Sequence, residues 1–237
     1  MDKDQKKVFE DKIKTEIREL KLIQQILQIK KPSYEFLDPT INNAIASLVD
    51  ILLYLEGKNP YYKEFSVDFF NYRQTAMHRE FFSNLFIDTE TGLRNTISFV
   101  KIEVEIGRQR LANSIVESIR KKIRKSQTIE KELHQVIRLG GKFPTFNDFL
   151  NSLLSNLPKL NEGYKLECRI YFDALNIIRN KISHSDEKLS EIEKGKLKRA
   201  KFSKAITKDG LLQMTFEGYR LLLNDIIRFF DHIYASL

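Results

Sequence analysis

Apolar side chains recur at three- and four-residue intervals along nearly the whole chain, and that period leaves little freedom in the choice of fold. Val8, Ile13, Ile17, Leu20, Ile23, Ile26 and Leu27 form one stripe, and Tyr219, Leu222, Leu223, Ile226, Ile227, Phe230 and Ile233 form another. At roughly 100° per residue such positions share one face of an α-helix, whereas a half-buried strand would alternate every second residue. Interruptions are few, with 9 Gly and 5 Pro in 237 residues. The expectation is an all-α helical bundle.

The punctuation divides this pattern into segments. Lys31-Pro32-Ser33 ends a first helix over Lys6–Ile29, and Pro39 after Asp38 starts a second that Gly57, Asn59 and Pro60 stop. A third helix is expected from Ser66 to about Ile87, with an aromatic core face of Phe69, Phe70, Phe81, Phe82 and Phe86. Asp88-Thr-Glu-Thr-Gly92 reads as a break, so the expected division is an N-terminal helical portion, 1–88, packed on a helical bundle, 89–237. A long helix from Leu93 to about Lys125, bent at Gly107, would follow. Then come a helix over Gln127–Leu139 closed by Gly140-Gly141, and a short one opened by a capping box of Thr145 and Asp148.

Leu166, Ile170, Ala174, Leu175, Ile177, Ile178 and Ile182 mark a further amphipathic helix, from about Glu162 to Ser183. Ser185, Asp186 and Glu187 suggest the cap and acidic first turn of the next helix. Phe202–Thr207 and Leu211–Thr215 flank Lys208-Asp209-Gly210, an arrangement suited to a small β-hairpin before the last helix.

The helix over Glu162–Ser183 ends in Arg179-Asn180-Lys181-Ile182-Ser183-His184, which places an arginine, an amide and an imidazole near one exposed helix end. An arginine followed by asparagine, with a histidine five positions after the arginine, resembles the Arg-polar-x-x-x-His signature of HEPN domains, a helical family whose active members are RNases. The resemblance implies metal-independent RNA cleavage, with no cofactor, at a site shared by two copies of the motif in a homodimer. It further implies that Arg179 contacts the scissile phosphate, Asn180 orients neighbouring groups and His184 handles protons. The family's usual setting suggests a toxin–antitoxin or antiphage defence component, with an antitoxin protein as a further partner.

Elementary chemistry agrees with this assignment. The 2′-hydroxyl of RNA is tethered beside its own phosphate, so the nucleophile is already in place. An imidazole exchanges protons near neutral pH, and a guanidinium matches the developing charge on the phosphoryl oxygens. The products would be a 2′,3′-cyclic phosphate and a 5′-hydroxyl. Two other stretches echo the motif. Arg73 precedes His78 by five positions but is followed by Gln74, and Arg94-Asn95 has Phe99 where the histidine would be.

The formal net charge of +8 favours a polyanionic partner. Lys194, Lys196, Lys198, Arg199, Lys201 and Lys204 form the densest basic cluster, suited to tracking an RNA backbone or to lying solvated. No His, Asp and Glu set has metal-ligand spacing, and no phosphate-cradling glycine loop or nucleophile elbow is present. The single cysteine, Cys168, excludes an internal disulfide and fits a reducing, cytoplasmic setting. The charged start predicts no signal peptide, and no stretch reads as a membrane span of roughly 20 uncharged apolar residues. The leading expectation is therefore an endoribonuclease. The alternative is a non-catalytic helical module that binds RNA, a nucleotide or a protein through the same ridge.

Overall fold

A computed structural model describes residues 3–30, 33–58, 67–103, 107–125, 127–129, 144–183, 188–202, 205–212 and 215–237. Among these residues there are eight α-helices and no strand, so the chain is an all-α bundle as its periodicity requires. The helices are α1 (Lys3–Ile29), α2 (Asp38–Leu55), α3 (Val67–Val100), α4 (Gly107–Arg124), α5 (Phe146–Ser155), α6 (Glu162–Ser183), α7 (Glu191–Arg199) and α8 (Phe216–Ser236). The expected helix over Gln127–Leu139 falls mostly outside the described residues.

α1 and α2 form an antiparallel hairpin through a 3-10 turn at Glu35–Leu37. Gln24 Nε2 donates to Asn42 Oδ1 at 2.7 Å near the turn, and Lys14 meets Glu56 at 3.9 Å near the far end. Ile13, Leu20 and Leu27 of α1 and Ile41, Ala44 and Leu48 of α2 are buried between them. Each large aliphatic chain removed from water there contributes about 1.5–3 kcal/mol. By length and composition the stretch Glu35–Leu55 is apolar enough to cross a membrane. Within α2, Ile41, Ala44, Leu48, Ile51 and Leu55 are the buried apolar residues, while Ile45, Val49 and Leu52 are half-buried and Leu53 is exposed. α2 ends with Gly57 at φ 71, where Lys58 N–H reaches the Leu53 carbonyl at 2.9 Å and ties off the last turn.

The third helix differs from the sequence reading. α3 runs unbroken from Val67 to Val100, through Asp88-Thr-Glu-Thr-Gly92, and the interruption falls between Val100 and Gly107. Thr89 and Thr96 donate their hydroxyls to the Leu85 and Gly92 carbonyls at 2.6 and 2.8 Å, so neither competes with the helix ladder. Asp88 serves another helix, its carboxylate accepting from Thr40 N–H at 3.2 Å in the first turn of α2. Burial holds the Asp88 carboxyl above its ordinary range. Gly92 faces Phe36 and Phe230 at a spacing that leaves no room for a Cβ.

Aromatic rings carry the core across the bundle. Phe86 of α3 meets Phe146 of α5 at 4.7 Å, Phe146 meets Phe172 of α6 at 5.3 Å, and Phe172 meets Phe229 of α8 at 4.7 Å. The Thr145–Asp148 capping box forms as expected, Thr145 N–H donating to Asp148 Oδ2 at 2.7 Å. On α6 the apolar stripe holds except at Leu166, which is exposed while Lys165 is buried with its ammonium on Glu162 at 2.7 Å. The turn between α1 and α2 is locked onto α8, with Tyr34 donating to Asp231 at 2.6 Å and Lys30 to the same carboxylate at 2.7 Å.

The expected hairpin before α8 forms as a turn. Gly210 sits at φ 76 and donates to the Thr207 carbonyl at 3.0 Å, but pairing among the described residues is limited to isolated bridges, Ile206 with Leu212 and Lys188 with Leu211.

One buried charge stands out in the hairpin. Glu16 is 4% exposed with one carboxylate oxygen unbonded, and burial pushes its carboxyl up to about 7 despite Lys12 nearby. A carboxyl raised in the folded state stabilises the fold below its ordinary titration, and that contribution disappears as pH rises through the folded value. Thermal stability is therefore expected to fall by about 1–3 kcal/mol between pH 5 and pH 8. Glu16→Gln should flatten that part of the profile, and an unchanged slope in the variant would assign it to other groups.

Candidate functional site

α6 places the motif by its buried side chains. Phe172, Leu175 and Ile178 sink into the core, which turns Arg179 and Asn180 outward on the last turns of the helix. The Arg179 guanidinium carbon lies 4.8 Å from the ring centre of Phe86 on α3. Stacking on an aromatic face holds the planar group while leaving its N–H edge open. No carboxylate pairs with Arg179 among the described residues. His184 and the acidic residues after it lie outside the described residues.

The two echoes of the motif have different surroundings. Arg94 also stacks on a ring, 4.3 Å from the centre of Phe149, but it donates twice to Glu90, at 3.1 and 2.6 Å. Its charge is already matched. His78 is 5% exposed, inside the core.

Past the motif, Lys181 donates to the Lys188 carbonyl at 2.7 Å and lies 3.4 Å from Glu193, joining the end of α6 to the start of α7. α7 begins later than the sequence reading placed it. Its cap is Ser190 in a capping box with Glu193, so the Ser185 expectation, which falls on residues outside those described, does not mark this helix start. α7 runs back along α6, and Lys196 reaches Asp173 at 2.9 Å.

That course sorts the basic cluster. Lys194 is paired with Glu191 at 2.8 Å and Lys196 with Asp173, so two of the cations are matched within the protein. Lys198, Arg199 and Lys201 are exposed, and Lys204 lies outside the described residues. Arg199 and Lys201 line a cleft of about 610 Å³ between α6, α7 and α8, which sequence reasoning missed because its walls come from three separate segments. The cleft and the shallow hollow beside Arg179 share the side chains of Phe82 and Ile178 as a wall. Burial pushes the Cys168 thiol at the cleft floor up to about 11, which keeps it protonated and a poor nucleophile. Among the described residues no group of three or more His, Cys, Asp or Glu is placed to hold a metal ion.

What the arrangement offers chemically is an outward guanidinium, fixed on a ring and free of an acid partner among the described residues, next to an exposed amide. No curated protein and no solved structure matches the chain. The sequence model described as Apea-like HEPN matches residues 76–216, more than half of the chain, from the middle of α3 through α6 and α7 to the start of α8. The helical bundle and this match agree: the chain belongs to the Apea-like HEPN family.

Proposed function

We propose that the protein is a metal-independent endoribonuclease in which Arg179 binds the scissile phosphate, Asn180 orients it and His184 transfers protons. The observation that carries this reading is the Arg179 guanidinium, seated on Phe86 and unmatched by an acid among the described residues, at the end of α6 in the family-matched region. A surface arginine kept without a carboxylate is available to an anion from outside. The 2′-hydroxyl attacks the adjacent phosphorus, His184 accepts its proton, and the 5′-oxygen leaves with a proton returned to it. Bond making and bond breaking balance within the RNA, and negative charge gathers on the oxygens that face Arg179.

The same reading assigns the protein to a homodimer, two Arg179 ridges meeting across one RNA, and to toxin–antitoxin or antiphage defence in the cytoplasm. Lys198, Arg199, Lys201 and Lys204 would supply salt-dependent, sequence-independent affinity for the backbone. The non-catalytic alternative shares the surface and differs in the chemistry.

The test is incubation with a long, mostly single-stranded RNA in excess EDTA, beside His184→Ala. The wild type is expected to leave 2′,3′-cyclic phosphate and 5′-hydroxyl ends, and His184→Ala to leave the RNA intact. Binding without cleavage by the wild type, or cleavage that stops in EDTA, would overturn the proposal.

A further inference from the structure

The cleft between α6, α7 and α8 has aromatic walls that the proposed cleavage does not use. Its volume of about 610 Å³ lies in the range of small-ligand sites, roughly 300–1,000 Å³. Two pairs of rings line it. Tyr171 faces Phe202 with centroids 5.1 Å apart, and Tyr164 faces His232 at 4.7 Å. The Tyr171 hydroxyl donates to Asp225 at 3.2 Å, and its ring also packs edge-on against Phe172 at 5.5 Å.

The charges at the cleft are unevenly matched. Asp225 is occupied by Tyr171 and lies 4.0 Å from Arg228, and Glu217 holds Arg220 at 2.9 Å. Glu167 is the lining acid without an ion pair among the described residues. Arg199 and Lys201 have no acid partner among the described residues either, unlike Lys194 and Lys196 just before them. Unmatched cations beside aromatic faces suit a planar ring that carries a phosphate.

Lys201 shares a left-handed backbone with Lys101, which follows α3 at φ 57. It ends α7 at φ 65, with its N–H on the Lys198 carbonyl at 3.0 Å and Phe202 N–H on the Leu197 carbonyl at 2.8 Å. Glycine takes this left-handed position without steric cost, and lysine does not.

We propose that this cleft holds an unstacked base of the RNA substrate, against the aromatic wall of Tyr164, Tyr171 and Phe202, with Arg199 and Lys201 on the adjoining phosphate. The inference rests on the ribonuclease reading and deepens it, since it requires single-stranded RNA beside the cut. Tyr171 is eight residues before Arg179, so the base and the scissile phosphate would be separated by roughly 12 Å along α6, across the wall of Phe82 and Ile178. A base paired in an A-form helix cannot turn its face into such a cleft.

The test uses the full chain as His184→Ala, with a fluorescein-labelled RNA read by anisotropy at fixed salt, and the same RNA carrying 4-thiouridine for cross-linking. Single-stranded RNA is expected to bind more tightly than its duplex, and cross-links to fall on Tyr164, Tyr171 or Phe202. Adding Lys201→Gly should weaken single-strand binding roughly fivefold or more while leaving the melting temperature unchanged or higher. A lysine present only for the fold would give the reverse. Equal affinity for duplex, no loss in Lys201→Gly, cross-links confined elsewhere, or occupation by free uridine monophosphate that RNA does not displace would each overturn the subsite. Cleavage by the wild type would survive those results. Cross-links in the cleft from a wild type that cuts nothing would instead remove the ribonuclease reading and leave an RNA-binding cleft.

Discussion

Arg179→Ala is expected to lower RNA cleavage by about 10²–10³ while leaving the fold in place. The side chain is exposed, and its packing is limited to the face of Phe86, 4.8 Å away, so its removal should change stability by about 1 kcal/mol or less. On the proposed mechanism the chemical loss is larger, because the guanidinium would face the oxygens on which charge develops and would keep its own charge throughout. Arg179→Lys should recover only part of the rate. An ammonium neither stacks as a plane on Phe86 nor presents two parallel donors to a phosphate. Arg94→Ala serves as the control, since its guanidinium is already committed to Glu90 at 2.6 Å and should matter little to cleavage. Initial rates in EDTA, set beside thermal melts of the same preparations, separate the two effects. Cleavage by Arg179→Ala at the wild-type rate would remove Arg179 from the chemistry.

Much of this was legible in the sequence, for a physical reason. An exposed arginine on an amphipathic helix follows from the residues buried around it, and α6 begins and ends where its stripe and neighbours place it. The contrast between the two arginines is also local. Glu90 stands four residues before Arg94, the spacing at which side chains meet on a helix, while Leu175 and Ser183 occupy the equivalent places around Arg179. The start of α7 was written in Ser190-Glu191-Ile192-Glu193, a capping box that the more conspicuous Ser185-Asp186-Glu187 obscured. The ring under Arg179 was not legible, because Phe86 belongs to another helix 93 positions earlier and no local rule relates them. The cleft was hidden for the same reason.

The misread stretch in α3 carries the second large prediction. Glycine and threonine in Asp88-Thr-Glu-Thr-Gly92 resemble a break because each is a weak helix former, yet the structure uses Gly92 for closeness. A Cβ at that position would lie 2.7 Å from two carbons of the Phe36 ring and 2.8 Å from Phe230. Neither ring has an easy escape. Their centroids are 4.7 Å apart, Phe36 is backed by Tyr34 at 6.2 Å, and Phe230 is fully buried between Phe229 and Tyr234. Alanine would gain up to about 1 kcal/mol of helix propensity but incur an overpacking cost of about 1–3 kcal/mol. Gly92→Ala is therefore expected to be destabilised, and Gly92→Val, with two more carbons against the same rings, by about 3 kcal/mol or more. That is a large part of the 5–15 kcal/mol typical of a folded domain. Denaturant unfolding measures the loss. Hydrogen exchange locates it, since the turn that docks on α8 through Phe36, Tyr34 and Lys30 should open first. A Gly92→Val protein as stable as the wild type would mean that Phe36 can swing clear, so that the contact at Gly92 does not hold the α1–α2 hairpin against α3 and α8.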